Sequence, residues 1–201
     1  MQIRGRNMEA IKDATIESFV KTVIGEQLKK MICTKGLQYL SFGVMASMIE
    51  FLGACFDEDD FFETKRSDQR FRAAVDKLDA FTNYRKYNKK GDKHDLYKNL
   101  RCGMAHIGRP GKEVAFTEKR DKAAKDKHLE ICKTTDGEVR LVLVCEDLFD
   151  DLNKASQELI TKMKLCDWTG KRHHESFMNP NLGIQEWLSG EHAPSDLSNP
   201  E

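Results

Sequence analysis

Several familiar signals are absent from this sequence. Its six cysteines, Cys33, Cys55, Cys102, Cys132, Cys145 and Cys166, include no CxxC pair, and most fall inside apolar patterns. That reads as reduced, intracellular thiols rather than a disulfide framework or a zinc site. Lys plus Arg and Asp plus Glu both number 33, so no global charge argues for a particular partner. The longest apolar stretch, near Phe42 to Cys55, is interrupted by Ser47 and Glu50 and is too short to span a bilayer. Met1 to Ala10 has two arginines but no apolar h-region, so no signal peptide is expected. Internal repeats and low-complexity tracts are also missing. These absences favour a cytoplasmic protein with no membrane role.

What is present is a chain of 201 residues, 39% hydrophobic and 33% charged. That suffices for one domain with a sizeable core, or one domain with an appendage. Residues 1–14 are polar and read as a flexible N-terminus. Residues 15–166 form the domain, and 167–201 a C-terminal extension that is partly disordered.

Within the domain, periodicity predicts mainly α structure, a helical bundle. Ile16, Phe19, Val20, Val23, Ile24, Leu28, Met31 and Ile32 fit one face of a first helix. A second helix from about Leu37 to Phe56 is apolar on most sides and belongs in the middle of the bundle. Its main stripe is Leu37, Leu40, Val44, Met48, Phe51, Leu52 and Cys55. Glu50 is the exception there, reaching either solvent or a partner cation, or else lining a cleft. Asp57 to Asp60 read as a solvated acidic connector rather than a metal site. Ser67 is placed to N-cap a third helix, Asp68 to about Phe81.

Leu96, Leu100, Met104 and Ile107 make an apolar stripe on a further short helix, which Gly108 and Pro110 stop. Asp95 is placed to favour its start. Past Pro110 a short strand is expected at Glu113–Thr117. A charged excursion, solvated helix or mobile loop, follows over 118–127. Two strand-like runs flank Asp136-Gly137, a signal for a hairpin closed by a type I′ turn, with Val139, Leu141 and Leu143 facing the bundle. A last long helix begins near Glu146, lined by Leu148, Leu152, Ala155, Leu159, Ile160 and Met163. In the tail, Trp168, Phe177, Leu182, Ile184, Trp187 and Leu188 read as pins, and His173-His174 as exposed.

Chemistry concentrates on the short helix. His106 is the acid/base candidate, because an imidazole is the side chain type that can both take and give a proton. Arg101 carries a permanent planar fork suited to phosphate oxygens. On an ideal helix five residues rotate by about 140° and rise about 7.5 Å, so the two do not share a face. The arginine's reach or a second copy of the chain must unite them. Between Arg85 and Lys112 nine basic residues stand against two acids, Asp92 and Asp95. With Tyr84, Tyr87 and Tyr97 as stacking faces, that segment suits single-stranded nucleic acid; the alternative is a soluble connector whose tyrosines are buried. Cys102 and His106 share a helix face but have no further ligand pair, and as a Cys–His nucleophile pair they lack an orienting group. No metal or other cofactor is expected. Gly103 reads as a point of close approach to another helix.

Arg101-Cys102-Gly103-Met104-Ala105-His106, following Asp95 to Leu100, resembles the signature helix of the HEPN superfamily, Arg-x4–6-His. Ser47 to Gly53 resembles the preceding core helix of some bacterial members. The likeness spans roughly residues 15–165. It implies a HEPN-like bundle, here with a small β-hairpin before the last long helix, that dimerises with its motif helices facing. It implies a metal-independent endoribonuclease in active members, often in toxin–antitoxin or antiviral systems. His106 would then be the acid/base, and Arg101 would support the phosphate and transition state. Tyr97, Lys98 and Arg109 would contact RNA. The residue after the motif arginine, commonly Asn, Asp or His in active members, is Cys102. The alternative is a non-catalytic HEPN-like module binding RNA or protein, or an accessory chain whose dimer face docks a partner such as an antitoxin.

Overall fold

The centre of the molecule is the helix Gln38–Ala54 (α2), as its apolar girth demands. The computed structural model describes residues 15–165; the flexible N-terminus expected over 1–14 and the C-terminal extension expected over 167–201 lie outside the described residues. Phe42, Met45, Ala46, Ile49 and Leu52 on α2 are all buried. Each large side chain so buried is worth about 1.5–3 kcal/mol relative to exposure. Helix α3, Ser67–Lys77, packs tightly across α2. The contact centres on Gly53, where a Cβ would lie 1.7 Å from the Arg70 carbonyl oxygen, so only glycine allows this approach.

The first helix, α1, is continuous but not uniform. Ile16–Phe19 and Lys29–Cys33 are α-helical, and Val20–Leu28 between them winds as a wider π-helix. Its buried line is Ile16, Val20, Ile24, Leu28 and Ile32, a spacing of four throughout. On an α-helix each such step drifts by about 40°, since a turn takes 3.6 residues. A wider turn keeps the five side chains aimed at one core. Thr15 caps the start, its hydroxyl accepting from Ser18 N–H at 3.0 Å.

The expected third helix is shorter than its pattern. It ends at Lys77, and Asp79–Tyr87 continues as a tighter 3-10 helix. Ser67 does not cap it, because its hydroxyl is committed to Glu50, as described below. Asp79–Tyr87 packs as part of the body, and Tyr84 and Tyr87 are buried in it, as the alternative to a nucleic-acid surface expects. Two arginines, Arg70 buried and Arg72 partly buried, fix the loops around α3. Arg70 pairs with Asp57 at 2.6 Å and donates to the carbonyls of Asp60 and Phe61, and Arg66 pairs with Asp59, so the acidic loop folds around two cations. Arg72 pairs with Asp68 and with the buried Asp95. Asp95 in turn accepts from Tyr97 N–H at 3.1 Å, as a cap at the start of the motif helix should.

Three strands complete the fold: β1 (Val114–Thr117), β2 (Ile131–Lys133) and β3 (Val139–Val144), in the order β1-β3-β2. β2 and β3 are the expected antiparallel hairpin, and β1 adds a parallel partner to β3. The turn departs from type I′. Thr134 N–H bonds to Glu138 O across three residues, and of these Gly137 alone takes positive φ, at 84°. That is the three-residue hairpin with glycine in the left-handed position. Leu141 and Leu143 are buried, but Val139 overhangs the bundle and is 46% exposed. Residues 118–130 form successive turns, with no helix. The last helix, α5, Cys145–Leu165, packs on α2 and on the 3-10 segment through Leu148, Leu152, Ala155 and Leu159. The described body is thus mainly helical with a small three-stranded sheet. No described helix is long and apolar enough to cross a membrane.

Candidate functional site

The motif helix, α4, begins as a π-helical run, Tyr97–Cys102, and ends as an α-helical turn, Gly103–Ile107. Leu96, Leu100 and Met104 again stand four apart, the spacing that suits a wider turn. Leu96 and Leu100 are buried, Met104 is half-buried, and Ile107 is 67% exposed. The stripe therefore leaves the core as it nears His106.

The stop is built by two glycines. Gly108 takes φ 68°, and its N–H and that of Arg109 both point back to Gly103 O. The chain then folds over the helix it has just left. A Cβ on Gly103 would meet Arg109 O at 2.6 Å and Gly111 N at 2.9 Å. Gly103 is therefore required by the returning chain, not by a neighbouring helix as its position in the pattern suggested. Gly111 N–H donates to Asn99 O at 2.7 Å, which locks the return.

Arg101 points inward. Its Nε donates to Glu50 Oε2 at 2.5 Å, and Nη2 donates to Ser67 Oγ at 3.3 Å. Ser67 Oγ donates to the other Glu50 oxygen at 2.5 Å. One carboxylate on α2 is thus held by two donors, from α3 and α4. Arg101 is 20% exposed and Glu50 19%. Glu50 has found the partner cation that one reading of the sequence assigned it. Nη1 of Arg101 has no hydrogen-bond partner among the described residues.

Tyr97 lies beside this triad. Its ring packs edge-on to Phe71, and the Arg72 guanidinium lies 5.6 Å from its centroid. Burial raises its hydroxyl pKa above the ordinary value, and the Cys102 thiol raises it further, while Ser67 and Arg101 pull it back. It stays a neutral phenol.

His106 faces the other way. It is exposed and makes no hydrogen bond or ion pair within the described residues. The structure does not bring it to Arg101, as the rotation along the helix anticipates. Exposed apolar side chains stand on the same helix end and on the start of α2. Leu40 is 55% exposed, with Leu37 and Tyr39 beside it in sequence, and Ile107 adjoins His106. Tyr39 Oη donates to Gly108 O at 2.9 Å, and Met104 lies against Gly43, so the start of α2 and the end of α4 form one surface.

The basic flank is less free than its composition suggests. Arg85 pairs with Asp79, Lys90 with Asp68, and Lys93 and Lys112 with Glu113. Sequence counting missed these because the acids lie outside the segment or at its border. Lys86, Lys89, Lys98 and Arg109 make no ion pair among the described residues, and Lys98 and Arg109 are exposed. Tyr84 and Tyr87 are buried, so they offer no stacking faces. Among the described residues no group of three or more His, Cys, Asp or Glu side chains is arranged to hold a metal ion.

Comparison with protein-family models, with curated proteins and with solved structures finds no match for this chain.

Proposed function

We propose that this chain is a HEPN-like, metal-independent endoribonuclease. Two copies would complete the site, each contributing an inward-held Arg101 and an outward-facing His106. The observation that carries the reading is the split state of the motif. A rigidly terminated helix presents an unbonded histidine to solvent, beside uncovered apolar side chains, while the arginine five residues earlier keeps Nη1 free. Burying Leu40 and Ile107 against their symmetry mates would bring two motif helices together. In such a cleft His106 would move the 2′-hydroxyl proton, and Arg101 Nη1 would meet the charge that develops on the phosphorus oxygens. Glu50 and Ser67 would hold the fork in place, and Lys98 and Arg109 would bind flanking phosphates.

One observation favours a second reading, a non-catalytic interaction module for RNA or a protein such as an antitoxin. Glu50 already neutralises Arg101 at 2.5 Å, so an incoming phosphate meets a paired cation. Toxin–antitoxin or defence association belongs to either reading through the HEPN resemblance alone.

The two readings part on one experiment. Single-stranded RNA is incubated with the full chain in EDTA, and the ends are analysed. The ribonuclease reading expects cyclic phosphate ends from the native chain and none from a folded His106→Ala variant. RNA left intact across conditions overturns it for the isolated protein. The module reading expects partner binding that survives His106→Ala.

A further inference from the structure

His128 lies near the end of the turn-rich strap 118–130, and its ring does the work of a backbone group. Along β3 the even-numbered amides face the strap. Leu129 N–H donates to Val142 O and Val142 N–H to Glu130 O, both at 2.9 Å. At the next rung no backbone carbonyl answers Val144 N–H. It donates instead to His128 Nδ1 at 2.9 Å. The imidazole extends the ladder by one rung, at the point where β3 passes into α5.

A backbone N–H can only donate, so Nδ1 carries no proton and Nε2 must. Nε2 lies 2.7 Å from Tyr84 Oη, and Tyr84 Oη donates to Asp151 Oδ2 at 3.0 Å. The order is Nε2–H to Tyr84, then Tyr84 O–H to Asp151. Burial and Asp151 hold Tyr84 well above its ordinary pKa, so it stays a donor. Leu129, next in the chain, is held at φ 59°, and its carbonyl accepts from Tyr87 Oη at 2.8 Å. A leucine in that region persists only while surrounding contacts impose it.

We propose that His128 is a proton-operated latch: neutral, it fastens residues 118–130 to the end of β3 and the start of α5, and on taking a proton at Nδ1 it releases them. Protonation removes Val144's acceptor and sets one N–H against another. The groups facing the ring are Tyr84 on the 3-10 segment, Asp147 and Asp151 on α5, and Lys119 in the strap. The carboxylates favour the imidazolium, but each already has a cation. Lys119 pairs with Asp147 at 2.6 Å, and Lys154 with Asp151 at 3.0 Å. Burial leads the balance and pushes the imidazole below its ordinary 6.5. A base depressed in the folded state binds fewer protons there than when free. The docking is therefore complete above about pH 6.5 and weakens as pH falls below it.

Amide hydrogen exchange of the full chain at about pH 7.5 and about pH 5, corrected for intrinsic rates, tests this. The latch expects protection at Leu129, Val142 and Val144 to fall with pH, by at most about tenfold per unit, the limit for one proton. Ile49 and Leu52 of α2 should hold. Nitrogen shifts of the His128 ring should show the Nε2–H tautomer at neutral pH. His128→Gln, whose amide oxygen can accept without titrating, should flatten the pH dependence. Unchanged protection of the native strap, an Nδ1–H tautomer, or undiminished pH dependence in a folded His128→Gln variant each overturns the proposal. The tautomer and the native exchange decide the matter if the variant fails to fold.

Discussion

Arg101 and His106 stand five residues apart on one short helix, yet they live in opposite surroundings. Arg101 sits where the helix is wide-wound and anchored. Leu100 beside it is buried, and its guanidinium is tied to α2 and α3 through Glu50 and Ser67. His106 sits one residue before the exposed Ile107, past the last buried side chain, with no partner. The inner end carries folding, because removing either member of the Glu50–Arg101 pair leaves a half-buried charge unanswered. The outer end carries no such load. A side chain held at a fixed position by its backbone, but doing nothing for stability, is available for an external role.

That contrast can be broken most severely at the joint between the two ends. Gly103→Ala drives a Cβ to 2.6 Å from Arg109 O, a backbone atom with little room to yield. The expected loss is about 3 kcal/mol, the upper part of the overpacking range, and thermal unfolding should fall by roughly 2–4 °C for each of them. At the inner end Glu50→Ala should cost about 1–3 kcal/mol in chemical denaturation, and Glu50→Gln less, since it keeps an acceptor for Arg101 and Ser67. At the outer end His106→Ala should change stability by no more than about 0.5 kcal/mol. Equal losses for Glu50→Ala and His106→Ala would erase the comparison. Leu40→Asp with Ile107→Asp should likewise leave the fold intact by circular dichroism, and should convert the proposed dimer to monomer by light scattering. The smallest effect lies far away, in the hairpin turn. The Thr134 hydroxyl and then Arg140 hold Asp136 down to about 2 from its ordinary 3.8. Its support of the turn is present above the ordinary value and disappears only as pH falls through about 2. A carboxyl titration followed by NMR should show that midpoint, moved upward in Thr134→Val.

Much of this architecture was legible because it is local. Leu148, Leu152, Ala155 and Leu159 announce the last helix, and Asp136-Gly137 announces the hairpin. Gly108 announces the helix stop, and the structure places it in the left-handed conformation the stop requires. The apolar set from Ile16 to Ile32 announces a helix with one inward face, but nothing in it announces that residues 20–28 wind more widely than an α-helix. Contacts between distant residues were not legible. Nothing near Val114 says it will pair in parallel with Leu141, and nothing near Arg70 or Arg72 names Asp57 or Asp95. Tyr84 and Tyr87 look like surface residues because lysines surround them, yet the chain turns them inward as a 3-10 helix. At the site, Arg101 and His106 were legible as a pair of residue types. Their division between interior and surface became visible only once Glu50 and Ser67 were placed beside Arg101.

The proposed composite site is tested most directly by mixing two inactive proteins. Arg101→Ala and His106→Ala are each assayed alone on single-stranded RNA in EDTA, then after being unfolded and refolded together. If two copies share one site, native protein cuts, neither variant cuts alone, and the mixture recovers part of the native rate. A mixture that stays inactive while both variants fold and pair, or native protein that cuts as a monomer, contradicts the account.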